Sequence, residues 1–409
     1  MSAKSLKIIA MLALLAVYAY GMLLRLIQLR SANNPIPKNV ANVYDAGTYR
    51  KWRAYHEEKC RLGMLESTAS FIVEALLMGF NLYSACAGRF HGGAFGQMFA
   101  VLLVYAAGGL VTLPFEYHDT MVIEERYGFN RSTRATFWAD QLKSFLIGLL
   151  LFTAIGALLM GLHRWLGDGM ILAFAAALTT LMLAITFLYP VFSRVFNKFT
   201  PLEDGELKGR LSALLEKNGY RVRAIQVMDA SRRSTKSNAY FTGFGRMKTI
   251  VLYDTLVNAM TVDEICAVFA HEMGHGLHRD TLKNQLLSFI QMLLLAVLAW
   301  LTLRTPAVFA GFGFEGVNYG FALILIMSVE FALVAPLYGL LTNWSSRRAE
   351  YRADAQAVKE GYGGALIAAL KKLSRENFAD LAPSPLLVKL EYSHPTLSQR
   401  IDAIESGRK

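Results

Sequence analysis

The chain is poor in cysteine and in charge. Its three cysteines, Cys60, Cys86 and Cys266, form no CxxC pair and no disulfide pattern, which excludes a disulfide-stapled scaffold. Cys266 fits an apolar helix position as a small hydrophobe. Charged residues make up only 18% of 409 positions, against 54% hydrophobic, and the mean hydropathy is +0.33; a soluble protein of this size is rarely so apolar. There is no internal repeat, no low-complexity segment and no phosphate-binding glycine loop. Nor is there a removable signal peptide, because the first apolar run is too long and lacks a small-residue cleavage site. The net charge of +11 has no basic surface behind it beyond the loops between apolar runs. It therefore indicates contact with anionic lipid head groups and no nucleic-acid partner.

What the chain has in quantity is apolar runs. Seven, near 8–27, 68–87, 97–115, 144–162, 170–192, 282–303 and 318–342, reach the roughly 20 residues that cross a bilayer. Lysine and arginine concentrate in 29–64, 116–143, 193–281 and the tail after 342. The turns near 88–96, 163–169 and 304–316 each hold a single arginine: Arg89, Arg164 and Arg304. With seven spans, all the basic connections fall on one face, which the positive-inside rule makes cytoplasmic; Lys4 and Lys7 argue weakly against the outward amino terminus that follows. Glu74 and Glu330 lie within spans, where a carboxyl group faces either a wet interior or a partner in the bundle.

The motif that carries chemistry is A-V-F-A-H-E-M-G-H, residues 267–275. On a helix, His271 and His275 project from one face about 5–6 Å apart, so both imidazoles can grip one metal ion. Glu272 beside them can take the proton of an attacking water, the HExxH arrangement of zinc peptidases. Thr261-Val-Asp-Glu264 has capping-box form and predicts a helix from residue 262, with the motif about three turns in. The plainer alternative is an amphipathic helix with two surface histidines. A catalytic zinc site usually takes a third protein ligand. Residue 281 is Thr281, so the third histidine of the metzincins is absent. His278 shares the helix face, but three ligands from one straight helix converge poorly, and it reads as a surface residue. S-R-R-A-E-Y-R-A-D, residues 346–354, offers Glu350 and Asp354 four apart on a predicted helix. One carboxylate can bind zinc while the other holds the outer nitrogen of a ligand histidine; in isolation the segment also reads as a solvated charged helix. Two spans separate this segment from the histidines, so both reach the same face.

The remaining soluble pieces are a helix over 203–218, a strand over 222–228, and two short strands around a glycine-containing turn over 238–253. The hairpin either offers its edge to an extended peptide or only braces the metal helix. Ser393-His394-Pro395 and Arg400 form a turn and a helix start; beside zinc, His394 can stabilise a reaction oxyanion.

Together with HEMGH, the segments V-I-E-E-R-Y-G-F-N (122–130), F-N-K-F-T-P-L (196–202), S-N-A-Y-F (237–241), I-V-L-Y-D-T-L (250–256), S-R-R-A-E-Y-R-A-D (346–354) and Y-S-H-P-T-L-S-Q-R (392–400) resemble the type I CAAX prenyl proteases, integral-membrane zinc endopeptidases of the gluzincin type. The resemblance runs in order from the third span onward and is looser before it. It implies an all-α integral membrane protein, seven transmembrane helices forming a barrel around a large chamber, with a small cytoplasmic α+β zinc-protease region. It implies one Zn2+ held by His271, His275 and Glu350, with Glu272 as catalytic base and Asp354 behind a ligand histidine. Asn238 and His394 would hold the substrate backbone, supported by Arg400. Implied substrates are prenylated proteins ending in Cys-aliphatic-aliphatic-X, cut after the modified cysteine. G-L-H-R-D (276–280) departs from eukaryotic members and the tail has no retrieval signal for the endoplasmic reticulum, which together favour a bacterial inner membrane. The expected division is 1–192 (five spans), 193–281 (hairpin and HExxH helix), 282–342 (spans six and seven) and 343–409 (tail with the third ligand). Two rivals remain: a quality-control membrane protease with no need of prenylation, and a seven-span transporter or receptor with a structural metal. The half-repeats expected of many transporters are not visible.

Overall fold

The structure, a computed structural model, describes residues 1–90, 92–242 and 249–407. Seven long helical rods dominate it. They are α1 (Ala3–Ser31), α2 (Ala46–Gly79), α3 (Gly93–Gly109, continued by shorter turns to Glu124), α4 (Arg134–Leu166), α5 (Met170–Phe196), then, after the soluble segment described below, a sixth helix (Asp280–Leu303) and a seventh rod spanning Tyr319–Lys359. By length and apolarity they count as six candidate spans, because α4 and α5 are joined through the 3-10 turn Gly167–Gly169 into one stretch. Side chains with free oxygens start several of them: Ser2 caps α1, Asp45 caps α2 and Thr133 caps α4, each satisfying amide groups that the first helical turn leaves unpaired.

The helices do not coincide with the apolar runs they contain. Helix α2 starts at Ala46, well before the apolar run near 68, and its first half carries Arg50, Lys51, Arg53 and Lys59. Charge hides this half from a hydropathy reading, although its residues are good helix formers. The same helix stops at Gly79, because Asn81 takes a left-handed conformation (φ 57°) and turns the chain into the short helix Leu82–Ala87. The seventh rod does not end near 342. It runs on to Lys359, passing through a π-helical turn at Ile326–Glu330, so Glu350 rides on the continuation of a membrane helix.

Consecutive rods touch, and the seventh touches the first, closing a ring. The wall of this ring is one helix thick. Only 6, 11, 22, 11 and 22% of the apolar windows of the first five candidate spans are buried, against 44% for Tyr319–Lys359. A solid bundle would bury a continuous stripe on every helix; here both the outer and the inner faces stay uncovered along most of the wall. One end is plugged. Every residue of Tyr319–Leu325 is buried, packed on α3, α4 and Asp280–Leu303, with Met98, Leu102, Leu159, Phe309 and Phe321 in the surrounding core. Gly320 permits that approach, since a Cβ there would meet the Met98 carbonyl oxygen at 2.6 Å.

Glu74 accepts from Tyr83 Oη at 2.8 Å and Glu330 from Thr302 Oγ1 at 2.7 Å. Both therefore pair within the ring, and Glu74 also lines a cavity of about 480 Å³ between α1, α2 and α3, with Tyr18, Ser70, Tyr105 and Ser328.

Between α5 and the sixth long helix lies the soluble segment. It contains β1 (Phe199–Pro201), α6 (Glu206–Lys217), β2 (Ala224–Met228), β3 (Ala239–Thr242), β4 (Thr249–Tyr253) and α7 (Val262–Leu277). We label the helices that follow α8 (Asp280–Leu303), α9 (Tyr319–Leu325), α10 (Phe331–Lys359), α11 (Gly363–Glu376) and α12 (Leu397–Ser406). The sheet order is β1-β2-β4-β3, with β2 and β4 parallel and the other pairs antiparallel. Ile250 and Leu252 of β4 pack with Leu211 and Leu214 of α6 and Ile265 and Phe269 of α7. The two expected hairpin strands are present; their glycine-containing turn falls on 243–248, outside the described residues. Strand β1 was not expected, being three residues long and ending in Pro201.

Candidate metal centre and active site

Helix α7 starts where its capping box places it: Thr261 Oγ1 accepts from the Glu264 amide, and the Glu264 carboxylate accepts from the Thr261 amide at 2.8 Å. From Ile265 to His271 every residue is buried, so the helix is interior. His271 is 7% exposed, which removes the picture of a surface histidine pair. Against α7 lies α10, presenting Ala349, Ala353 and Ala357, all buried and four apart. Gly274, the glycine inside HEMGH, makes the contact. A Cβ there would meet Ala353 Cα at 2.9 Å, Gln356 Cβ at 3.1 Å and the Ala353 carbonyl oxygen at 3.3 Å. Small residues on both sides thus set the distance between the helix that carries the histidines and the rod that carries Glu350.

Across this seam three side chains converge. Glu350 Oε1 lies 3.2 Å from His275 Nε2, and its Oε2 lies 3.5 Å from His271 Nε2. One donor atom from each of the three lies within 4.8 Å of the others. The imidazole rings stand nearly perpendicular, at 88°, with centroids 4.9 Å apart. Glu350 is 4% exposed, and its Oε2 is a buried oxygen with no hydrogen-bond partner among the described residues. Arg400 Nη1 stands 3.4 Å from this oxygen without a hydrogen bond to it, and a metal ion between the oxygen and the two imidazoles would satisfy it more fully. Two nitrogens and one carboxylate oxygen are also a donor set that suits zinc with an open position. The residues fit such an ion. Burial alone would lower His275, but hydrogen bonds to Asp280 and Glu350 outweigh it and push its pKa up to about 10, so the surroundings favour positive charge at this point.

The outer nitrogens are held as well. His271 Nδ1 lies 2.8 Å from Asp354 Oδ1, and Arg400 Nε donates to Asp354 Oδ2 at 2.9 Å. His275 Nδ1 lies 3.2 Å from Asp280 Oδ2. Glu272 is half-buried beside the pair, and burial raises its carboxyl above the ordinary carboxylate value. His394 Nε2 stands 3.4 Å from Glu350 Oε1 while its Nδ1 meets Ser393 Oγ at 2.8 Å. That turn is fixed by Arg347, whose Nη1 donates to the Val388 and Tyr392 carbonyls at 2.9 and 2.6 Å.

Of the residues singled out by sequence, His271, His275, Glu350, Asp354, His394 and Arg400 are brought into one contact network, with Glu272 alongside. Asn238 is not part of that network among the described residues. It is exposed at the start of β3, its Oδ1 accepting from the Ala239 amide at 2.9 Å. His278 sits at the C-cap of α7 and is not among the metal-ligating group. Asp280, Arg347 and Arg352 were missed. The only available signal for Asp280 was its place five residues after His275, and a carboxylate there meets the imidazole only because Arg279 adopts φ 55° and reverses the chain between α7 and α8.

Residues 25–198 match a family model described as CAAX prenyl protease N-terminal, five membrane helices, and residues 201–408 match peptidase family M48. CAAX prenyl protease 1 homolog of Arabidopsis thaliana is 32% identical, covering 97% of this chain and 96% of that one. CAAX prenyl protease 1 of Saccharomyces cerevisiae is 31% identical over 90% of this chain and 88% of that one. The crystal structure of S. mikatae Ste24p superposes with a TM-score of 0.89 at 28% identity, covering 98% of this chain and 99% of that one.

Proposed function

The chain belongs to peptidase family M48, as a multi-pass membrane metalloprotease similar to CAAX prenyl proteases, and we propose that it cuts protein substrates using one Zn2+ held by His271, His275 and Glu350. The observation that carries this reading is the convergence of both Nε2 atoms on the Glu350 carboxylate, which rides on the continuation of the seventh membrane helix. Zinc bound there supplies Lewis acidity, which polarises a peptide carbonyl and acidifies a water. Glu272 takes the proton of the attacking water as the oxygen–carbon bond forms, and returns it to the amine as the carbon–nitrogen bond breaks. Asp354, backed by Arg400, holds His271 in the tautomer that leaves Nε2 free. His394 donates to the developing oxyanion, and Asn238 on the exposed rim of β3 binds the substrate main chain.

Relatives named CAAX prenyl proteases, which align over 90–97% of this chain, support the proposed substrate class: proteins ending in Cys-aliphatic-aliphatic-X, cut after a prenylated cysteine. The basic connections support a site at the cytoplasmic face, residues 193–281 and 343–409 being read as lying outside the hydrocarbon core. The relatives named here are eukaryotic, so they lend no support to the bacterial inner membrane expected from the sequence.

The test uses purified protein with matched farnesylated and bare peptides, with and without a chelator. Cleavage after the farnesylated cysteine, abolished by chelation and restored by zinc, is expected. Equal cleavage of bare peptide would point to quality-control proteolysis, and chelator-resistant cleavage would overturn the metal mechanism.

A further inference from the structure

Each imidazole of the metal centre is held by a carboxylate, and each carboxylate is held by an arginine. On one side stand His271, Asp354 and Arg400. On the other, Asp280 accepts from Arg352 Nη2 at 2.7 Å through Oδ1, while its Oδ2 faces His275 Nδ1 at 3.2 Å. Lys283 adds a second cation 3.2 Å from Oδ1. From this geometry we infer that Asp280, held by Arg352, is a second positioning residue of the metal centre, acting on His275 as Asp354 acts on His271. The inference rests on the reading of His275 as a metal ligand.

Three features mark Asp280 as built for this place. It is 3% exposed, a degree of burial that a carboxylate tolerates only when paired. Three nitrogen groups converge on its two oxygens, from His275, Arg352 and Lys283, so its carboxylate is fully engaged. It is also the first residue of α8, where the helix dipole favours negative charge. An ionised carboxylate at this position accepts the Nδ1–H of His275. That fixes the tautomer whose Nε2 is free to hold a cation shared with Glu350 and makes this nitrogen a better donor to it.

The links close on themselves. Arg352 lies two residues beyond Glu350 on α10. The path His275, Asp280, Arg352, Glu350 and back to His275 therefore ties α7, α8 and α10 into one ring at the metal. Because α8 is the sixth membrane helix, this ring fixes a ligand imidazole to the membrane wall directly.

Zinc affinity by chelator competition, together with the visible spectrum of the cobalt-substituted protein, tests the assignment. Asp280→Asn can present an amide hydrogen to Nδ1 and favour the wrong tautomer. It is expected to weaken zinc binding by about 10–100-fold and to change the cobalt bands, whereas Asp280→Glu restores part of both. Arg352→Gln should give a smaller loss, and the double variant Asp280→Asn/Arg352→Gln no more than Asp280→Asn alone, since the arginine acts through the carboxylate. If Asp280→Asn does not fold, Arg352→Gln alone decides the matter: unchanged affinity and unchanged cobalt bands overturn the inference. So does an Asp280→Asn protein with wild-type affinity and spectrum. A wild-type protein that takes up no zinc would refute the metal centre itself, and this inference with it.

Discussion

Gly274→Ala separates two explanations by sign. Gly274 lies inside α7, and replacing a mid-helix glycine by alanine normally stabilises by about 0.5–1 kcal/mol. The seam with α10 predicts the reverse. The new Cβ would stand 2.9 Å from Ala353 Cα and 3.3 Å from its carbonyl oxygen, against an ordinary carbon contact of about 3.5–4.0 Å. Because these neighbours are main chain, no side-chain rotation relieves the overlap, and α7 must back away by roughly 0.6–1 Å on that same contact distance. Overpacking of this kind costs about 1–3 kcal/mol, so after the propensity gain the balance centres on a net loss of about 1 kcal/mol. The metal centre suffers more, since ligand distances tolerate only about 0.2 Å. The expected result is a lower thermal midpoint and a zinc affinity at least about tenfold weaker, by fluorescence melting and chelator competition in detergent. Ala353→Gly should not rescue the variant, because the blocked atoms are Ala353 Cα and O. A Gly274→Ala protein that is more stable than wild type and binds zinc equally would refute the account of the seam.

Other outcomes follow from the same geometry. Glu272→Gln should keep stoichiometric zinc and lose peptide hydrolysis by about 10²–10⁴-fold, as read by elemental analysis beside a cleavage assay; near-normal turnover would remove Glu272 from its role. Glu350→Ala should lose most of its zinc, and full occupancy would place the third ligand elsewhere. Arg347→Ala frees the turn that carries His394 without touching a metal ligand. Hydrogen bonds from a charged donor contribute about 1.5–3 kcal/mol, so kcat/KM should fall about 10–100-fold while zinc content stays at wild type; zinc loss would contradict that division of roles.

Local features were legible in the sequence. The start of α7 depends on Thr261 and Glu264, three residues apart, and the spacing of His271 and His275 needs only one helical turn. The segment that carries Glu350 and Asp354 was reachable by counting spans, because an even number of crossings returns the chain to the same face; the choice of Glu350 came from the family resemblance. What could not be read depends on distant geometry. The helical first half of α2 is masked by its charge. Asp280 works only through the left-handed Arg279, and Gly274 matters only because Ala353 faces it. Asn238 stands exposed at the rim of β3, and its role rests on the proposed path of the substrate.

The central claim is that α7 and the continuation of the seventh membrane helix clasp one catalytic zinc between them. Anomalous diffraction at the zinc edge from crystals of the purified protein tests it most directly. The account predicts one peak about 2.0–2.2 Å from His271 Nε2, His275 Nε2 and a Glu350 carboxylate oxygen, with a coordination position left for solvent. A peak held by four protein ligands, or one lying away from Glu350, would contradict it.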